Sequence, residues 1–271
     1  MALSQVEYYS RLACGMAGQG SALVLLHGGA GSSNHWSRNV DGLTRSFQVF
    51  AFDLPGFGNS PDVPPDTDAE AYIDWVADAI TEAAGGKLYR LAGFSFGAVV
   101  AAGVAARQRG KIAALTLTAP GGFGSPAGRR LDLRPLPNES HTNARREAIR
   151  HNLLQMMIAD PSQVDDNTID IQAENIANTR FDSRRISLQT RLLKDVERTD
   201  APLQLIWGAR DHLAYPSIEA RANLCRGVRP DARIDIIPLA GHWVQYEQPA
   251  AFNEALLSFT PQSSQLHRLG V

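Results

Sequence analysis

The segment Gly93-Phe94-Ser95-Phe96-Gly97 joins an apolar strand-like run, residues 88–92, to an Ala/Val-rich helical run, residues 98–106. A serine on so sharp a strand-to-helix turn is crowded unless glycines flank it, because the turn strains the backbone and brings strand and helix close together. Ser95 Oγ would then stand exposed at a helix N-terminus, where the next backbone N–H points outward and the helix dipole favours developing negative charge. Ser95 is therefore the leading nucleophile candidate. The alternative is a glycine-rich turn carrying an incidental serine.

The pattern around this corner alternates strands with helices. Residues 6–14 with Gly15, Gly18 and Gly20 read as an opening strand and turn. Residues 22–27 and 47–53 are near-continuous apolar runs of the kind buried on both faces of a sheet. A Gly/Pro loop covers residues 54–60, and Ile73, Val76, Ala77 and Ile80 then fall at i, i+3, i+4 and i+7, which predicts a helix with Asp74 and Asp78 on its wet side. After a further apolar run at 112–119 the sheet pattern stops. Residues 121–200 give Pro/Arg-rich loops and helical patterns at 144–159, 164–178 and 187–197, with Asn143 and Asp165 or Asp166 as N-caps and Pro161 as a stop. Strands resume at 203–207 and 234–237, and a final helix covers 249–259. This order predicts an α/β fold: a mostly parallel sheet with helices on both faces, residues 1–120 and 201–271, and an inserted helical cap, residues 121–200.

With 271 residues, 44% of them hydrophobic and 20% charged, the chain can bury a full core. A net charge of −2 offers no field for nucleic acid. The lack of a long uninterrupted apolar run excludes a membrane span, and the first residues lack the charged start and apolar stretch of a signal peptide, so a cytoplasmic protein is expected. The two cysteines, Cys14 and Cys225, match neither a disulfide framework nor a zinc spacing and are expected to be buried or half-buried thiols. No metal site or cofactor is expected. A phosphate loop with its lysine is missing after Gly28, so nucleotide binding is not expected either. The expected partner is a small-molecule substrate, with a homodimer as the default assembly.

A serine hydroxyl needs a histidine to take its proton and a carboxylate to orient that histidine. Asp211 follows the strand at 203–207, and His242 follows the strand ending at Ile237. In a parallel sheet such loops project from one edge, so Ser95, Asp211 and His242 are expected to converge. His212 adjoins Asp211 and is badly placed to reach Ser95; His35, His141, His151 and His267 fall in helical, cap or tail segments, and His27 reads as a hydrogen-bonded structural residue. The oxyanion of an acyl-transfer site needs N–H donors, and the backbone amides of Phe96 and Gly29 are the candidates.

His27-Gly28-Gly29, the loop at 53–60, the Ser95 corner, Gly208-Ala209-Arg210-Asp211 and Gly241-His242 together resemble the α/β-hydrolase superfamily over nearly the whole chain. That resemblance implies the α/β-hydrolase fold and a structural role for residues 53–60. A narrower resemblance is to the meta-cleavage-product hydrolases, which hydrolyse a carbon-carbon bond in vinylogous diketones made by aromatic ring opening. It rests on Ala119-Pro120-Gly121-Gly122-Phe123-Gly124, on Ala159-Asp160-Pro161-Ser162-Gln163-Val164 and on Gly241-His242-Trp243-Val244-Gln245-Tyr246-Glu247. It implies that Trp243 lies in the substrate pocket and that a cap arginine, Arg180, Arg184 or Arg185, meets a substrate carboxylate or enolate. Gly28, Phe94 and Phe123 complete the expected substrate contacts.

One position departs from that family. An asparagine usually precedes its nucleophile, where this chain has Phe94, and an apolar ring there leaves a substrate oxygen unpaired. An ester, a lactone or another ketone therefore stands beside the diketone as substrate. The expected activity is cofactor-independent hydrolysis, a carboxylesterase or carbon-carbon bond hydrolase; a ligand-binding receptor on the same scaffold is the rival from another class, and a lyase or perhydrolase a third reading.

Overall fold

The structure is a computed structural model that describes residue 3 and residues 5–124, 130–138 and 142–259. Eight strands, β1 (Gln5–Tyr9), β2 (Leu12–Ala17), β3 (Ser21–Leu26), β4 (Phe47–Phe52), β5 (Tyr89–Phe94), β6 (Ile112–Thr118), β7 (Leu203–Gly208) and β8 (Arg233–Ile237), form one sheet in the order β1-β2-β4-β3-β5-β6-β7-β8. The pairs β1/β2 and β2/β4 are antiparallel and the other five are parallel. The mostly parallel sheet is thus as expected from the alternating pattern. Its centre, β3 and β5, is buried on both faces at residues such as Leu25, Leu26, Leu91 and Ala92, which explains why these strands read as unbroken apolar runs.

The opening differs from expectation. It is a hairpin that turns first at Ser10 and Arg11, with φ of 44° and 71°; the turn expected at the glycines follows between β2 and β3, where Gly18 and Gly20 take φ of 79° and 111°. Gly15 sits inside β2, opposite Val6 and Ala51. Two consecutive left-handed residues match the twist of a two-residue hairpin. Ser10 is held there from outside the hairpin, since its Oγ donates to Glu82 and its carbonyl accepts from Trp75 Nε1 (2.8 Å).

Ten helices flank the sheet among the described residues: α1 (Val40–Leu43), α2 (Ala69–Ala84), α3 (Phe96–Arg107), α4 (Asn143–Met156), α5 (Asp166–Ala177), α6 (Arg184–Ser187), α7 (Leu192–Arg198), α8 (Ile218–Val228), α9 (Val244–Glu247) and α10 (Pro249–Ser258). α2 forms as its period requires: Asp68 caps it by accepting from the Ala71 amide, Gly85 closes it at φ 58°, and Tyr72, Ile73, Val76, Ala77 and Ile80 are buried. α3 is buried nearly all round, so its small Ala, Val and Gly residues let it sit tight against its neighbours; a β-carbon on Gly103 would crowd Ile73 of α2.

Between β6 and β7 the chain carries α4 to α7 and a short 3-10 turn, Pro161–Gln163. Asp165 caps α5 as expected, but the α4 cap is Thr142, not Asn143. The pattern at 187–197 is two short helices rather than one. Thr190 bridges Phe123, the Gly122 amide donates to Ser187 O (2.8 Å) and the Leu192 amide to Gly122 O (3.0 Å), which pulls residues 188–191 off the helix axis. α8, not anticipated above, buries Ala222 and Cys225 but also Arg221, and that charge blurs its apolar stripe. No helix among the described residues is long and apolar enough to cross a membrane. Cys14 and Cys225 are buried free thiols, and burial pushes Cys225 up to about 12, so neither is a ready nucleophile.

Candidate active site

Ser95 lies between β5 and α3 with φ 52° and ψ −108°, a backbone conformation that L side chains rarely adopt. Its amide donates to Thr118 O (2.8 Å). The flanking glycines are required by approach rather than by φ: a β-carbon on Gly93 would strike the backbone of Gly97, and one on Gly97 would strike the carbonyls of Leu26 and His27. Sheet, corner and helix are therefore packed too closely at Gly93 and Gly97 for a side chain at either position.

The structure brings Ser95, His242 and Asp211 together. Ser95 Oγ donates to His242 Nε2 (2.9 Å), and His242 Nδ1 donates to Asp211 Oδ2 (3.0 Å). The other Asp211 oxygen accepts from the Leu213 amide (2.9 Å), so both carboxylate oxygens are committed and the imidazole is aimed. Asp211 and His242 are 7% and 5% exposed, which keeps water from competing for these bonds. Among the competing histidines, His212 is exposed and His151 bonds the Asp132 carbonyl; His141 and His267 lie outside the described residues.

Two buried histidines support the corner from below. His27 Nδ1 donates to Gly28 O (2.7 Å) and its Nε2 accepts from the Leu54 amide (2.9 Å), the structural role expected of it. His35 Nδ1 accepts from the Gly28 amide (3.2 Å), which leaves the proton on Nε2, a buried donor without a partner. Burial holds His35 well below the ordinary histidine range, and nearby His27 and His242 add to the effect. Phe94 is fully buried, edge-on to His35 with ring centroids 5.6 Å apart and 5.1 Å from the His242 ring. The loop at 53–60 is tied in as a structural element: Asp53 accepts from the Ser33 (2.7 Å) and Asn59 (2.9 Å) amides.

Two chambers meet at Ser95 and His242. The first, about 340 Å³, is walled by Phe123, Leu131, Trp207, Leu213, Ala214 and Arg221. The second, about 550 Å³, is bounded by Gly28, Gly29, Phe94, Phe96, Phe181 and Ser183. Gly28, Phe94 and Phe123 are thus at the walls, as are the oxyanion candidates Gly29 and Phe96. Phe96 opens α3, so its amide has no intrahelical acceptor. A β-carbon on Gly29 would meet Ser183 Oγ, which would have to turn away, so glycine lets the backbone approach the chamber with Ser183 as placed. Trp207, Leu213 and Arg221 were not singled out from the sequence; Trp207 sits on β7, Leu213 in the loop after it that carries Asp211, and Arg221 on α8.

Three expectations need correction. Trp243 is fully buried and lies outside both chambers, because its Nε1 donates to His35 O (3.0 Å) and its ring stacks on Tyr246 at 4.0 Å. It supports His35 and does not face a ligand. Arg180 borders the second chamber, yet its guanidinium is spent on Asp62 and on the carbonyls of Gly58, Ser60 and Asn178. Arg185 reaches the Thr67 carbonyl and the Phe181 ring instead of the chambers. Arg184 does line both chambers, though its side chain is 75% exposed and forked onto Asp182. Among the described residues no cluster of His, Cys, Asp and Glu could hold a metal ion.

Known proteins share this arrangement of chain. A 2-hydroxy-6-oxo-6-phenylhexa-2,4-dienoate hydrolase of Burkholderia cepacia is 26% identical, over 90% of this chain and 88% of its own. The dihydrolipoyllysine-residue acetyltransferase component of an acetoin cleaving system from Pseudomonas putida is 29% identical over 89% of this chain, which spans only 63% of that protein's length. A solved structure from Burkholderia cenocepacia, provisionally described as an aryl esterase, superposes with a TM-score of 0.77 at 26% identity, covering 94% of this chain and 97% of that one. Residues 23–255 match the alpha/beta hydrolase family as a whole, and with its sheet order and strand-to-helix corner the chain belongs to that family.

Proposed function

We propose that the protein is a cofactor-independent serine hydrolase of small carboxylic esters, with Ser95 as nucleophile, His242 as general base and acid, and Asp211 as the residue that orients His242. The relay Ser95 Oγ, His242 Nε2, His242 Nδ1, Asp211 Oδ2, closed at 2.9 and 3.0 Å beside two chambers, carries the reading. Ser95 Oγ attacks the ester carbonyl carbon while its proton passes to His242 Nε2. The amides of Gly29 and Phe96 hold the oxyanion, collapse expels the alcohol, and His242 returns the proton to it. Water then gives a proton to His242 and attacks the acyl carbon; the bond to Ser95 Oγ breaks to release the acid, and His242 returns the proton to Ser95 Oγ. Residues 121–200 act as a cap over this crevice, since Phe123, Phe181, Ser183 and Arg184 all come from that stretch.

Esters fit better than ring-cleavage diketones because the wall beside the nucleophile is the apolar Phe94. The diketone remains the second reading, favoured by the dienoate hydrolase among the relatives. A fluorophosphonate should label Ser95 stoichiometrically, and Ser95→Ala should lower kcat on an aryl ester by about four powers of ten with an unchanged fold. Unchanged turnover in Ser95→Ala would overturn the assignment, and labelling without multiple turnovers would favour a receptor.

A further inference from the structure

Arg221 stands on α8 at the wall of the first chamber, 7% exposed, with its guanidinium carbon 4.2 Å from the centre of the Phe123 ring. Among the described residues it has no carboxylate and no hydrogen-bond acceptor. Arg191 and Arg229, whose side chains are also little exposed, are paired: Arg191 with Asp195 and Glu70, Arg229 with Asp231 and two carbonyls. A guanidinium cannot shed its charge in a protein, so a buried one without a counter-ion is kept at a cost that an incoming anion removes. Its neighbours in the wall, Trp207, Leu131, Leu213 and Ala214, are apolar and strengthen any such pairing. Its planar fork of donors suits a carboxylate in particular.

We propose that the first chamber receives a carboxylate-bearing part of the substrate and that Arg221 is its anchor. This rests on the serine hydrolase reading for its place in the reaction, but the anion site itself can be tested apart from turnover. The anchor comes from α8, which follows β7, and it shares the first chamber with Arg184 of residues 121–200.

The test compares kcat/KM for two matched pairs: p-nitrophenyl valerate against mono-p-nitrophenyl glutarate, with the charge on the acyl part, and 4-methylphenyl acetate against 4-acetoxybenzoate, with the charge on the alcohol part. In one pair Arg221→Met should lower the ratio of charged to neutral ester by about ten- to a hundredfold, as for a lost hydrogen bond to a charged group, and Arg221→Lys should restore part of it. Whichever pair responds shows which part enters the chamber. Ratios unchanged in both pairs overturn the proposal. If no ester turns over and Ser95 resists the fluorophosphonate, the hydrolase reading fails alone, and calorimetry decides the anchor: Ser95→Ala should bind glutarate and lose it when Arg221→Met is added. Absence of glutarate binding, or binding unaffected by Arg221→Met, overturns the anchor.

Discussion

Glu247 accepts a hydrogen bond from the amide of Gly241 at 2.6 Å, so the residue before His242 is fixed by a carboxylate that also accepts from Ala159 (2.9 Å) and Asp160 (3.0 Å). Burial lifts the Glu247 carboxyl above its usual range, against the pull of these three N–H donors. One side chain thus joins the histidine loop to the segment that follows α4. In Glu247→Gln a single oxygen remains, and at least one buried N–H loses its acceptor. A loss of about 1–3 kcal/mol in urea unfolding is expected, with a fall in kcat larger than any rise in KM. Equal unfolding midpoints would show that the three bonds contribute nothing net.

Asp211→Asn should leave the fold in place, because the amide oxygen can still accept from Leu213 N, but it removes the negative charge that favours the Nδ1–H tautomer of His242. A drop in kcat of about four powers of ten on an aryl ester is expected. Steady-state assays with a circular dichroism control would check it; a tenfold effect would mean that His242 keeps its tautomer by other means.

His35 and His27 are fully buried, and burial lowers both below the ordinary histidine value. The folded protein therefore stays neutral at these rings where the unfolded chain takes up protons. Stability from this source is complete above the unfolded pKa of about 6.5 and is lost as pH falls below it, at up to about 1.4 kcal/mol per pH unit for each ring. Urea midpoints between pH 8 and 5 should fall, and His35→Gln should flatten the slope by about half. A midpoint independent of pH would show that the rings charge in place.

Trp243→Phe keeps a ring beside Tyr246 but removes the indole N–H that satisfies the His35 carbonyl and leaves part of a buried site unfilled. A loss of about 1–3 kcal/mol in stability with little change in KM is expected, because the residue walls neither chamber. A KM raised more than fivefold at constant stability would return Trp243 to the substrate.

The strands, α2 and α3 were legible because burial on one face or on both writes a period into the residues, as Ile73, Val76, Ala77 and Ile80 show. The meeting of Ser95, Asp211 and His242 could be anticipated because a parallel sheet sends its loops to one edge. What escaped depends on partners remote in sequence. Ser10 turns the hairpin because Glu82 and Trp75 hold it, and nothing local to residues 10 and 11 announces that. Trp243 belongs to the expected histidine motif, yet its direction is decided by the His35 carbonyl. α8 escaped because a buried charge, Arg221, breaks its apolar stripe, and only the chamber shows what that charge lines.

Ser95 and His242 are 147 positions apart along the chain, and the strands before them, β5 and β8, are separated in the sheet by β6 and β7. The contact of Ser95 with His242 is therefore a property of the finished sheet and of no fragment. Ordering such distant pairings is slow relative to forming local helices. Until β8 docks, Ser95 has no base beside it, and the proposed hydrolytic capacity is absent from the polypeptide while it is still being made.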